Sequence, residues 1–180
     1  MDTPIFSIQK HIFSLKKGSS ITLQLNIIKW SENSPKYDIR TWKDEKPGKG
    51  VTLDLLDLKT LSKLLESNIA LFEDFSTQIP KEIGTPSFSC KLYQSCGNIG
   101  DLDNWHLELN VISWKNSACK FDLRKWDKDK KHGKGVTLSH DEAAKLLVAI
   151  KSEIQEAHQD QGALPTEKEL EAWTEILTKN

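Results

Sequence analysis

The sequence predicts an α+β protein made of two tandem ββββα repeats. Each repeat is a curved antiparallel sheet plus a helix, and the two pair as an intramolecular pseudo-dimer with an extra C-terminal helix. Three observations carry this. Leu25 to Trp42 reads LNIIKWSENSPKYDIRTW, and 84 positions later Leu109 to Trp126 reads LNVISWKNSACKFDLRKW, with 8 identities in 18. GKGVTL at Gly48 to Leu53 returns unchanged at Gly133 to Leu138. After each copy the apolar period switches from two to about 3.6, the change from strand to helix. A chain of 180 residues is long enough to bury a sizeable core, whereas a half of roughly 80 residues is marginal alone. The expected boundaries are 1–76 and 87–160 for the repeats, 77–86 for a linker and 163–180 for the last helix.

Each repeat opens with a short apolar–polar segment, Ile5 to Phe13 or Phe88 to Tyr93, followed by a turn at Gly18 or at Gly97 and Gly100. The second strand alternates Leu23, Leu25 and Ile27 with polar neighbours, and its partner is Leu107 to Trp114. The third is Lys36 to Trp42 or Lys120 to Trp126; a Lys/Asp-rich hairpin loop ending in Gly-Lys-Gly leads to the fourth, Val51 to Leu53 or Val136 to Leu138. Leu58, Leu61, Leu65, Ile69 and Phe72 then recur at helical spacing, as do Ala143, Leu146, Leu147, Ile150 and Ile154. Asp54 is placed to cap the first helix, and Ser139 with Glu142 forms a capping box for the second. Pro80, Gly84 and Pro86 mark the linker. Leu170, Trp173, Ile176 and Leu177 give Leu164 to Leu177 an apolar stripe, expected to dock on the body or to recruit a protein partner.

A formal charge of −1 argues against a uniformly basic nucleic-acid binder, but the charge is unevenly placed. Lys115 to Lys134 holds eight Lys/Arg against three Asp, and Ser139 to Asp160 holds five acids against two Lys. One positively biased face on a balanced chain follows. No apolar run approaches the ~20 residues of a membrane span, and nothing resembles a signal peptide. Cys90, Cys96 and Cys119 lack ligand-type spacing, so the expected setting is reducing and cytoplasmic. That means the nucleoid in a bacterium or the nucleus in a eukaryote. The five histidines have no counterparts in the other repeat and no nucleophile–base or metal spacing. Neither an enzyme nor a bound cofactor or metal is expected.

The candidate site is the duplicated polar and aromatic set. Strand alternation puts Lys36, Asp38, Arg40 and Trp42 on one face, and Lys120, Asp122, Arg124 and Trp126 on the equivalent one. Burying Lys, Asp and Arg together costs several kcal/mol each, so this face is expected to be open. Trp30 and Trp114 join it by the same parity, and Ala at Trp42 and Trp126 is expected to leave unfolding nearly unchanged. Asp38 and Asp122 read as cross-strand charge partners rather than as holders of the arginines. Lys49 and Lys134 sit between glycines, where backbone can approach a ligand or form a bulge. Bases stack on aromatic rings for about 1–3 kcal/mol each while Lys and Arg follow the phosphates. The face therefore suits a single strand. The stronger basic bias of the second repeat ranks Arg124 and Lys134 above Arg40 and Lys49.

KYDIRTW followed by GKGVTL, and KFDLRKW followed by GKGVTLS, resemble the single-stranded-DNA-binding domain of the transcriptional positive cofactor four family, especially its small bacterial YdbC-type relatives. The resemblance covers about residues 1–75 and 87–158. It implies a four-stranded curved sheet plus helix, paired two-fold through the helices, and binding of single strands with little sequence preference on the strand surfaces away from the helix. It also implies a coactivator-like role in transcription, or one in DNA replication or repair. The family's motif Arg falls on Arg40 and Arg124, its Trp on Trp42 and Trp126, and its Gly-flanked Lys on Lys49 and Lys134. Two copies in one chain imply a monomer with an internal pseudo-two-fold. Two alternatives stand beside this reading: a protein–protein scaffold, and a binder of RNA or RNA–DNA hybrid.

Overall fold

The computed structural model describes residues 5–72, 78–85 and 88–161. The first repeat is β1 (Phe6–Lys16), β2 (Ile21–Trp30), β3 (Lys36–Lys43), β4 (Lys46–Leu53) and α1 (Leu55–Ile69). The second is β5 (Lys81–Thr85), β6 (Phe88–Leu102), β7 (Trp105–Trp114), β8 (Lys120–Asp127), β9 (His132–Leu138) and α2 (His140–Gln161). Each sheet is a meander of antiparallel neighbours, with four strands in the first and five in the second. The extra strand, β5, lies in the expected linker: its residues pair with β6 from Lys81 opposite Leu92 to Thr85 opposite Phe88. Pro80 and Pro86 read as breaks, yet they flank a stretch whose N–H groups are free to join an edge. The expected C-terminal helix at Leu164 to Leu177 lies outside the described residues.

Both helix starts are capped as their sequences predict. Asp57 N–H donates to Asp54 Oδ1 at 2.8 Å and Asp54 N–H to Asp57 Oδ2 at 3.2 Å. In α2, Ser139 N–H donates to Glu142 Oε2 at 2.9 Å and Glu142 N–H to Ser139 Oγ at 3.2 Å. The helical stripes then bury Leu58, Leu61 and Leu65 of α1 and Ala143, Leu146 and Ile150 of α2. These join Leu23, Leu25 and Ile39 of the first sheet and Leu107, Leu109 and Leu123 of the second in a single core. Neither repeat encloses that core alone, as expected for units of this size.

Each helix also grips the other repeat. Lys10 of β1 bonds Glu153 (2.7 Å) and Glu156 (2.9 Å) of α2, and Tyr37 donates to Glu153 at 3.3 Å. Those two carboxylates hold the Lys10 ammonium above its ordinary pKa. Lys17 reaches Glu142 at 2.7 Å and the Thr137 carbonyl at 2.6 Å. In the other direction, β6 runs straight through Gly97 and Gly100, where the sequence suggested a turn; the chain reverses at Asp103 and Asn104 instead. The two glycines accompany register shifts in β6, and α1 explains them. A Cβ at Gly97, whose φ is +149°, would lie 3.0 Å from Leu64, and one at Gly100 would lie 2.5 Å from Asp57. Cys90 and Cys96 lie in β6 and Cys119 precedes β8, all unpaired; burial pushes the Cys90 thiol up to about 11 and the Cys96 thiol up to about 12. No helix among the described residues is long and apolar enough to cross a membrane.

Candidate functional site

The helices cover one face of each sheet, and the duplicated set lies on the other. There, Asp38 and Asp122 are wholly buried (0% exposed), against expectation. Each is fully engaged. Arg40 donates to Asp38 Oδ1 through Nε and to Oδ2 through Nη2, the latter at 2.6 Å, and Trp30 Nε1 donates to the same Oδ2 at 3.2 Å. Arg124 and Trp114 repeat this on Asp122, at 2.7 Å through Nη2 and 3.0 Å through Nε1. The aspartates therefore hold the arginines, and the reading of them as ordinary cross-strand partners is corrected. A fork-shaped pairing plus an indole N–H satisfies the carboxylate well enough to offset its desolvation. Burial still pushes the Asp122 carboxyl above its ordinary value, against the pull of Arg124 and the Trp114 N–H.

The same contacts set each guanidinium over a ring. Arg40 Cζ is 4.3 Å from the Trp30 ring centroid and Arg124 Cζ is 4.5 Å from that of Trp114. Cation–π contact and the salt bridge fix the planar group from both sides.

Trp42 and Trp126 occupy the expected face but not the expected depth. They are 4% and 0% exposed. Phe6 covers Trp42 with centroids 5.5 Å apart and also packs on Trp30 at 5.2 Å. Trp114 lies parallel over Trp126 at 6.1 Å and 4°. Cys90, Ile112, Ile83 and Leu92 complete a small second core around Trp126. Their Nε1 donors find no hydrogen-bond partner among the described residues. The expectation that these two rings stand open to solvent is thus corrected. Trp126 is the floor beneath Trp114, and Trp42 lies beneath Phe6, which also packs on Trp30.

Gly-Lys-Gly is part of the strand, not of the loop. A two-residue turn at Asp44 and Glu45, with φ of 48° and 64°, closes the first hairpin early. Arg40 then pairs with Gly50 and Trp42 with Pro47, so Thr41 faces both Gly48 and Lys49 across a bulge. In the second repeat Arg124 pairs with Gly135 and Trp126 with His132, leaving Gly133 and Lys134 opposite Lys125. A Cβ at Gly50 or Gly135 would sit 2.2 Å from the Cβ of Arg40 or Arg124, so the second glycine is required by close approach to the site arginine.

The bulges meet where β4 and β9 run beside each other, and the two constellations interlock there. Lys49, from the first repeat, lines a cleft of about 460 Å³ with Phe88, Trp114, Arg124, His132 and Lys134. Lys134, from the second, also lines one of about 360 Å³ with Arg40, Trp105 and Lys125. No carboxylate lines either cleft among the described residues. Burial, Arg124 and Lys49 hold the His132 imidazole below its ordinary pKa, against Asp122. Of the remaining expected residues, Lys36 and Lys120 are exposed at the far ends of their strands and line neither cleft. Trp105 and Phe88 carry no signal as site residues in the sequence, and His132, which reads there as an ordinary surface or turn residue, lines the larger cleft. The position of His132 directly before Gly-Lys-Gly was its available signal.

An uncharacterized protein of Treponema pallidum (strain Nichols) is 40% identical to this chain over 81 residues, which span 44% of this chain and 81% of that protein. This chain belongs to its family. The matched length is close to that of one of the two repeats of this chain. No protein-family model matches the chain.

Proposed function

We propose that the chain binds single-stranded nucleic acid, DNA above all, with little sequence preference, across the open faces of its two sheets. The reading agrees with the resemblance of KYDIRTW–GKGVTL and KFDLRKW–GKGVTL to the transcriptional positive cofactor four family, and it implies service in transcription or in DNA replication and repair. The observation that carries it is the duplicated plate of Arg40 on Trp30 and Arg124 on Trp114, each locked by a buried aspartate beside a bulge lysine. Each guanidinium gives its Nε and Nη2 to the aspartate, and the remainder, on a side chain 13% exposed at Arg40 and 12% at Arg124, is what meets a base or a phosphate, whatever the base. Little rotamer freedom remains to be lost on binding, because the protein has already fixed the group. Cation-lined clefts, with no carboxylate in their lining among the described residues, follow the plates across the seam.

The test is a titration of the full chain with labelled oligo-dT, oligo-rU and a duplex at two salt concentrations. Tight oligo-dT binding that weakens steeply with salt is expected, with a log–log slope of about −0.7 per phosphate engaged. Binding that is absent, or indifferent to salt, overturns the reading in favour of a protein scaffold. Oligo-rU bound more tightly than oligo-dT transfers it to RNA.

A further inference from the structure

The repeats are not equivalent at the seam. Phe88 is 44% exposed, yet it is ordered against a ring: His132 stacks on it with centroids 4.3 Å apart and planes at 17°. Trp114 closes the group at 5.6 Å from Phe88 and 5.5 Å from His132, with Trp126 parallel beneath it. Among the described residues the first repeat has no such wall. Its residue opposite Trp42 is Pro47, where the second repeat places His132 opposite Trp126. Its extra ring, Phe6, packs inward over Trp42.

We propose that the cleft between Lys49, Phe88, Trp114, Arg124, His132 and Lys134 is a seat for one nucleotide, and that this seat exists only in the second repeat. The proposal rests on the reading of the chain as a single-strand binder and adds to it where a strand is anchored. A base lies against the Phe88–His132–Trp114 wall, and its flanking phosphates meet Lys49 from one repeat and Lys134 from the other. The cleft volume of about 460 Å³ falls within the ~300–1,000 Å³ of ordinary small-ligand sites. An aromatic wall, a fixed guanidinium and mobile ammonium groups are the complement of a planar base joined to anions. Because Lys49 crosses the seam, the seat exists only when both repeats are present.

Oligo-dT titrations of the full chain and its Phe88→Ala, Lys49→Gln and Pro47→Ala variants test this, with His132 ring resonances followed by NMR. Phe88→Ala is expected to weaken binding about tenfold, Lys49→Gln several-fold, and Pro47→Ala less than twofold, with the His132 resonances shifting on saturation. A full chain that binds no oligo-dT removes the single-strand reading and the seat with it. A full chain that binds while Phe88→Ala matches Pro47→Ala overturns the seat alone. Should Phe88→Ala fail to fold, the unsubstituted chain decides, since His132 resonances that stay still at saturating oligo-dT overturn the seat. A poly-glutamate peptide that shifts them as strongly as oligo-dT overturns it too, assigning the cleft to an acidic protein segment.

Discussion

The guanidinium carbon of Arg124 rests 4.5 Å from the ring centroid of Trp114, and one carboxylate, Asp122, accepts from both side chains. Arg40, Trp30 and Asp38 repeat the arrangement. Sequence spacing sets it: Trp, then Asp eight positions on, then Arg two later. The Trp reaches across from the neighbouring strand, and the Asp and Arg share one face of theirs. The carboxylate that orients each plate is wholly buried.

Removing Trp42 or Trp126 will unfold the protein before it reveals anything about binding. Trp42→Ala and Trp126→Ala should each cost about 3–5 kcal/mol, the range for deleting a buried large side chain. Urea denaturation midpoints check this. Trp126→Phe should cost much less, since it keeps a ring and deletes an N–H that has no partner among the described residues.

Glycine is required at the bulge and dispensable at Gly18. Gly135→Ala would place a Cβ 2.2 Å from Arg124 Cβ and 2.4 Å from the Leu123 carbonyl oxygen, neither of which can yield. A loss of about 1–3 kcal/mol is expected. Gly18→Ala meets nothing within 4 Å and should be tolerated. Thermal melts of the two variants side by side make the comparison.

How far the sequence could be read depends on whether a feature is local. Strand alternation at Leu23 and Leu25, the helical stripes, and the caps at Asp54 and Ser139 are local, and all appear as expected. Parity placed Trp42 and Trp126 on the correct face, but parity carries no information about depth. Phe6 and Trp114 bury these rings, and no pattern within β3 or β8 announces that. Gly97 and Gly100 resembled a turn because glycine usually punctuates chains. Here they make room for Leu64 and Asp57 of the other repeat, a tertiary demand. The cost of burying Lys, Asp and Arg together makes the face read as open, and the aspartates read as cross-strand charge partners. The duplicated Trp–Asp–Arg spacing already held the partners that offset that cost.

Acid should weaken both the fold and the free state of the site through His132. Burial, Arg124, Lys49 and Lys131 favour its neutral form and Asp122 opposes them, so its folded pKa lies below the ordinary 6.5. For a base lowered in this way, the folded state binds the proton less well than the unfolded state. Its contribution to stability is complete above about pH 6.5 and declines as pH falls through that value toward the folded pKa. A bound polyanion reverses the sign of the local field and should raise the His132 pKa. NMR titrations of the ring with and without oligo-dT measure both effects.

The bulge lysines should act through charge and across the seam. Lys49→Gln and Lys134→Gln should each lower the magnitude of the salt slope by about 0.7 if one phosphate contact is lost. Lys49 lines the cleft of the second repeat. Its loss should therefore combine non-additively with a change at Arg124, despite their separation in sequence. A double-mutant cycle on oligo-dT affinity resolves this.

The most direct measurement compares the unsubstituted chain with an Arg40→Lys/Arg124→Lys chain for oligo-dT affinity over a salt series. Lysine keeps the charge beside each buried aspartate but removes the flat plate. If the plates are the binding surface, the unsubstituted chain binds with a steep salt slope. The double variant then remains folded, keeps most of that slope and binds about tenfold more weakly. Equal affinity in the two chains would contradict the account.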